Sequence, residues 1–276
     1  MAMDSLTFTP LRISTLVTTG HLGSTINLIK LFEQFSSLMI PIGYPAEGFL
    51  KMEHETKVIG HSARDMLTKR RTCDKTFFNQ STLVLRKLRG GDAPDAGDFK
   101  EVNIKLFANG GFQMTGVTSE EFSRVVLDYI LEKFAKLPQA ISEESLSIKK
   151  FSIQLLNSDY KASSYLKRAE LHRILCQQYK LSSTLETTIY QGVNTKYYYN
   201  EEAPVKNGIC MCPRFCNGQG EGTKIGSCKK ITIAAFQTGS IIITGARNKN
   251  QLDEAYTFMN KVLQTHCKSI SKTAEK

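Results

Sequence analysis

Residues 230–246, KITIAAFQTGSIIITGA, repeat a pattern already present at 102–117, VNIKLFANGGFQMTGV. A constant offset of 129 places Phe107 on Phe236, Gly110 on Gly239, Thr115 on Thr244 and Gly116 on Gly245. Each copy alternates apolar and polar residues, turns at a glycine and alternates again, which predicts a strand, a tight turn and a second strand. Asn109-Gly110 is the dipeptide favoured where both central turn residues take positive φ. A helix start follows each copy, because Thr118 with Glu121 and Asn248 with Gln251 have capping-box spacing. A repeat of this length predicts one supersecondary unit used twice.

The flanking sequence fits that duplication. Residues 11–19 (LRISTLVTT) read as a strand and 26–38 as a helix, followed by a strand at 80–88, the hairpin and a helix at 119–137. The second half repeats the order with a strand at 150–158, a helix at 164–179, a strand at 187–199, the hairpin and a helix at 251–265. The expected organisation is a tail at 1–10, a first repeat at 11–137 with insertions near 39–76 and 89–99, and a linker at 138–149. A second repeat at 150–266, with a Cys/Gly-rich insertion near 200–228, and a tail at 267–276 complete it.

Alternation also assigns faces. Val102, Ile104, Leu106, Phe112 and Met114 point one way in the first copy, as do Ile231, Ile233, Ala235, Ile241 and Ile243 in the second. Two helices per half are too few to cover both sides of such a sheet. The opposite face, with a phenylalanine beside each turn, is therefore expected to meet solvent or a partner.

The chain has 276 residues, a net charge of +10 and a pI near 9.2, which favours an acidic partner. Nine basic residues (Lys57, Arg64, Lys69, Arg70, Arg71, Lys75, Arg86, Lys87 and Arg89) crowd 57–89 around Phe77 and Phe78. Phosphate contact with stacking uses such a mixture, and so does a solvated strand edge guarded by charge. No apolar run approaches the roughly 18 residues of a membrane span, and 1–10 lacks a secretory signal pattern. Seven cysteines then predict free thiols or metal ligands, and an intracellular, soluble protein.

The pattern F-x-x-G-x-x-x-x-T-G-[A/V] before a capped helix, used twice, resembles the TATA-box-binding protein family, and within it the divergent members of large nucleocytoplasmic DNA viruses. The resemblance covers about 11–265 and is strongest in the hairpins. It implies an α+β fold: a saddle of two pseudo-repeats, a curved antiparallel sheet with helices on its convex side and double-stranded DNA in its concave side. The family's minor-groove binding with apolar wedges comes with the resemblance. It places Phe78 and Phe107 as one wedging pair, and Phe236 with Leu185 as the other. Thr115 and Thr244 fall on groove-contacting threonines, and Val17, Ile242 and Ala234 on apolar contacts. Arg247 falls on a phosphate-reaching position.

Departures accompany these matches. Two central asparagines of the family fall on Thr15 and Leu155, and apolar contacts become Lys105, Gln113 and Asn157. Lys105 and Gln113 are donors suited to the acceptors of an A·T minor groove, so DNA binding is retained while TATA preference does not follow. The acidic stirrup falls on 181–185 (LSSTL), without carboxylates. The implied function is a transcription initiation factor that bends promoter DNA and recruits an initiation-factor-IIB-like protein and RNA polymerase, in the host nucleus, a cytoplasmic viral factory or the virion. A protein-interaction module on the same saddle is the alternative. No enzymatic role is expected, since the two repeats leave no room for a catalytic domain. No cofactor is required by this reading. Cys210, Cys212, Cys216 and Cys228, spaced C-x-C-x3-C-x11-C in a glycine-rich loop, suit tetrahedral structural zinc, with reduced thiols or one disulfide as the alternatives.

Overall fold

The computed structural model describes residues 5–43, 46–68, 78–89, 98–137, 139–142, 146–188 and 190–272. They form two compact units, Thr15–Gln154, and Met1–Ser14 with Leu155–Lys276. The first contains β1 (Arg12–His21) from Thr15 onward, α1 (Leu28–Gln34), β2 (Gly48–His54), β3 (Lys57–Gly60) and α2 (Ala63–Leu67). It continues with β4 (Gln80–Leu88), β5 (Phe99–Phe107), β6 (Gly111–Val117) and α3 (Glu120–Phe134). The second holds β7 (Lys149–Lys161) from Leu155 onward, β8 (Tyr165–Leu166), α4 (Arg168–Gln177), β9 (Ser182–Glu186) and β10 (Tyr190–Tyr199). Then come β11 (Lys229–Ala235), β12 (Ser240–Ala246), α5 (Lys249–Thr265), α6 (Cys267–Ile270) and β13 (Ser271–Lys272).

Strands of the first unit run in the order β3-β2-β4-β5-β6-β1, and those of the second in the order β9-β10-β11-β12-β7, with antiparallel neighbours. The duplication holds at the level of register. Val17 pairs with Thr115 and Asn157 with Thr244; Thr82 pairs with Lys105 and Asn194 with Ala234. Both inner ladders shift register at a left-handed glycine, Gly116 (φ 92°) and Gly245 (φ 98°), which leaves one residue unpaired as a bulge. The hairpin tips match too: Leu22 N–H donates to Gly110 O and Ala162 N–H to Gly239 O. The α+β class and the repeated antiparallel halves expected from the sequence are therefore present.

One face of each sheet is buried. Val102, Ile104, Leu106, Phe112 and Met114 lie in the core with Val126, Ile130 and Phe134 of α3, and Phe49 of β2 stacks on Phe134 at 6.2 Å. In the second unit Ile231, Ile233, Ile241 and Ile243 are buried with Leu252, Ala255, Met259 and Val262 of α5. Tyr197 completes that core, its hydroxyl donating to Glu254 at 2.7 Å. Burial and then the Glu254 carboxylate hold the Tyr197 phenol far above its ordinary pKa, so it stays a donor. α5 is capped by Asn248 as expected, but Ser119, not Thr118, caps α3.

Several expected boundaries move. The segment 1–10 is not simply a tail: Leu6 is buried, its N–H donates to the Gln264 side chain, and Phe8 bridges to Ala162. The last segment is also built in, since β13 pairs with β8 and Ile270 is buried. The insertion at 39–76 supplies two sheet strands, β2 and β3. The expected strand at 187–199 begins at Tyr190, and β9 precedes it.

Candidate nucleic-acid interface

On the uncovered face of the first unit, Lys105 lies between Thr82 and Gln113, and Thr115 between Asn103 and Val17. Asn103 and Lys105 are exposed; Val17, Gln113 and Thr115 are half-buried. Thr15 is absorbed by the bulge, where its Oγ1 accepts the Gly116 N–H at 3.2 Å. Phe107 ends β5 half-buried at the hairpin, and Phe78 stands 69% exposed ahead of β4. No ring contact joins these two among the described residues.

The far end of this face is closed. Lys51 shares the side of its partner Val84, and its ammonium meets Asp65 of α2 at 2.6 Å and Glu53 at 2.7 Å. Ala63 N–H donates to the Glu101 carboxylate at 3.1 Å. Arg86, paired with Glu101, is fully buried and donates to the carbonyls of Ile42, Gly43 and Ala46. Lys87 is engaged by Glu47. Arg86 and Lys87 therefore hold a loop, and the expected use of the whole basic stretch on phosphates does not apply to them. Lys69, Arg70, Arg71, Lys75 and Phe77 lie outside the described residues.

In the second unit Asn157 pairs with Thr244, and Ile242 lies between Ala234 and Asp159. Ala234 is only 3% exposed, a small floor residue beneath larger neighbours. Leu155, Asn157, Ile242 and Thr244 are half-buried. Arg12 engages the Asp159 carboxylate through one nitrogen at 2.9 and 3.1 Å. Lys196 donates to Thr232 Oγ1 at 3.0 Å, and burial, then the Lys230 charge, lower its pKa.

Two expected site residues are elsewhere. Leu185 shares its side of β9 with Ser183, whose hydroxyl bonds Thr195 on the core side and His172 of α4. It lies beside Leu166 and Ala169, on the helix side, so it is not the mate of Phe236. Tyr190 takes that place: its ring meets Phe236 edge-on at 5.5 Å, and it is 41% exposed. The pairing registers of β4 and β10 differ by 112 in number, and that offset carries Phe78 onto Tyr190. A longer connection between β10 and β11 than between β4 and β5 hides this equivalence from an alignment fixed on the hairpins. Arg247 is also drawn away: its guanidinium contacts Glu221 at 2.8 Å, and its N–H donates to Gln251 of α5. It is therefore engaged at the start of α5 instead of reaching for phosphate.

The thiols of Cys210, Cys212, Cys216 and Cys228 converge, every sulfur within 4.8 Å of the others. Cys73 lies outside the described residues, and Cys176 and Cys267 are not in the cluster.

The chain is 31% identical over 218 residues, 74% of its length, to the protein named "TATA-box-binding protein-like" of Acanthamoeba polyphaga mimivirus. Over this span the chain belongs to the TATA-box-binding protein-like family. It spans about half, 52%, of the length of that curated relative. The solved structure of Methanococcus jannaschii TBP aligns with 93% of the chain and 99% of its own, at 13% identity and a TM-score of 0.49. No family model matches the chain. Among the described residues no helix is long and apolar enough to cross a membrane.

Proposed function

We propose that this TATA-box-binding protein-like chain is a transcription initiation factor that binds double-stranded DNA through the minor groove and bends it. The observation carrying this reading is the repeated aromatic position: Phe78 with Phe107 in one unit, Tyr190 with Phe236 in the other. Each pair stands at the hairpin end of an uncovered sheet face. Apolar rings entering base steps unstack them at a cost of a few kcal/mol, offset by the wider contact that a bend permits. Beside its rings the first unit offers donors in Thr115, Gln113 and Lys105, and the second offers a largely apolar floor in Thr244, Ile242 and Ala234, for a groove whose A·T pairs present acceptors. The net charge of +10 favours the same partner. The reading is non-enzymatic, and extends to recruiting an initiation-factor-IIB-like protein and polymerase, at the site of viral or host transcription.

Fluorescence transfer between the ends of an A·T-rich duplex tests it. The protein brings the ends together, and Phe107→Ala with Phe236→Ala abolishes this while the fold, followed by circular dichroism, is retained. Intact DNA affinity and bending in the folded double variant sink the proposal. A second reading, a protein-interaction module, is favoured by the closure of the first unit's face around Lys51, Arg86 and Glu101. A folded protein with no salt-dependent duplex affinity supports that reading.

A further inference from the structure

We propose that Cys210, Cys212, Cys216 and Cys228 form a structural zinc site that organises the β10–β11 loop. The first observation is geometric. Tetrahedral zinc with bonds of about 2.3 Å places its sulfurs about 3.8 Å apart. Cys228 Sγ lies 3.4 Å from Cys212 Sγ and 3.7 Å from Cys210 Sγ, and all four fall within 4.8 Å of one another. The sulfurs also have outer partners of the kind that orient metal ligands. Gly226 N–H donates to Cys212 Sγ at 3.1 Å, and Asn200 Nδ2 to Cys228 Sγ at 3.4 Å.

The second observation concerns what else holds the loop. Most of its large apolar side chains point outward: Phe215 is 95% exposed, Val205, Met211 and Ile225 are exposed as well, and Ile209 is half-buried. The thiols point inward, with Cys228 buried. A segment of this length without a helix or strand of its own, and with most of its apolar groups in water, lacks a hydrophobic core. The four sulfurs occupy the place of that core. A single disulfide would use two of them and leave the other two without a role in the same cluster.

The loop so fixed lies against the sheet. Lys230 N–H donates to Gly218 O, and a Cβ on Gly218 would sit 2.5 Å from Lys230 Cβ and 2.8 Å from the Tyr198 ring. The clasp therefore holds a cover over the Tyr198–Lys230 end of the second unit's open face. This assignment does not rest on DNA binding.

Metal analysis of the full chain, purified without chelator, is expected to give one zinc per chain. Exchange for cobalt(II) is expected to give the visible bands of a tetrahedral thiolate site. Both are lost in Cys210→Ser with Cys212→Ser and in Cys216→Ser with Cys228→Ser, and both are kept in Cys176→Ser with Cys267→Ser. Because losing two sulfurs can unfold the first two variants, the wild type is also digested with and without a strong chelator, with new cuts expected inside 200–228. Substoichiometric zinc, a mass lowered by two hydrogens with a disulfide among these cysteines, or zinc retained without Cys216 and Cys228 would overturn the assignment.

Discussion

Removing Asp65 should release α2 from the sheet and lower stability in a pH-dependent way. Asp65 Oδ2 accepts from Lys51 Nζ at 2.6 Å, Ser62 Oγ at 2.7 Å and Ser62 N–H at 2.9 Å. Burial alone would raise its pKa, but these hydrogen bonds and the Lys51 charge outweigh that and hold the carboxyl well below the usual carboxylate range. Breaking a buried pair typically costs about 3–5 kcal/mol. Lys51 keeps Glu53 at 2.7 Å as a second counter-charge, so Asp65→Ala is expected to cost less, about 2–3 kcal/mol. Asp65→Asn keeps an acceptor and loses the charge, and should cost about half as much. Since the folded-state pKa is depressed, the stabilisation is fully present above the unfolded value near 4 and declines as pH falls through and below it. Urea unfolding at pH 7, 5 and 3 measures this. The difference between wild type and Asp65→Ala should be equal at pH 7 and 5 and smaller at pH 3. Hydrogen exchange should show loss of protection at 62–67. A difference within about 0.5 kcal/mol at pH 7, the range of ordinary surface substitutions, would refute the argument, as would one that does not shrink at pH 3.

Further predictions concern the faces and the tips. Tyr190→Ala should weaken A·T duplex binding by about 1–3 kcal/mol, the range of one base–aromatic contact, and reduce bending, while Leu185→Ala leaves both unchanged; equal effects would return the wedge to Leu185. Lys105→Ala should reduce the slope of log affinity against log salt by about one, and an unchanged slope would remove this lysine from the interface. Gly110→Ala should destabilise by more than about 2 kcal/mol in urea unfolding, because its φ of 86° is left-handed and a Cβ would run into the Ser24 carbonyl. Gly43→Ala, with open space around it, should be neutral in the same assay.

The fold was largely legible because the hairpin pattern is local. Alternation at 102–117 and 230–246 sets the buried face, and Gly110 and Gly239 set the turns, so a sequence read alone finds both. Residues whose role depends on a distant partner were harder to place. Leu185 and Tyr190 are both apolar near the start of β10, and only the pairing of Thr184 with Asn194 decides which side of the sheet each takes. Arg86 reads as one more cation in a basic stretch. Its burial follows from the carbonyls of Ile42, Gly43 and Ala46, forty or more residues earlier, which no local spacing encodes. Arg247 follows the second T-G-A on the strand end, and a carboxylate from the β10–β11 connection, Glu221, engages it. The converging thiols were visible as a spacing, but their inward direction against outward Phe215 was not.

The register offsets carry one more consequence. Offset 112 takes Arg86 to Tyr198, and offset 129 takes its partner Glu101 to Lys230, so these are equivalent pairs at the same end of each open face. In the first unit that end is covered by α2 and by Ile42, Gly43 and Ala46, held by Asp65, Glu101 and Arg86. In the second it is covered by Gly218 and the cysteine loop. Different insertions, entering the chain at different points, close equivalent positions. In each unit they leave a strip near the hairpin, from Thr82 to Thr115 and from Asn194 to Thr244. These strips match in register but not in chemistry. Lys105 and Gln113 stand where the second unit has Ala234 and Ile242. The first strip therefore presents charge and hydrogen-bond donors, and the second presents apolar surface with Thr244. A minor groove would satisfy the first through its acceptors and the second through shape. Recognition should be directional, with base-pair sensitivity concentrated in the half facing Lys105.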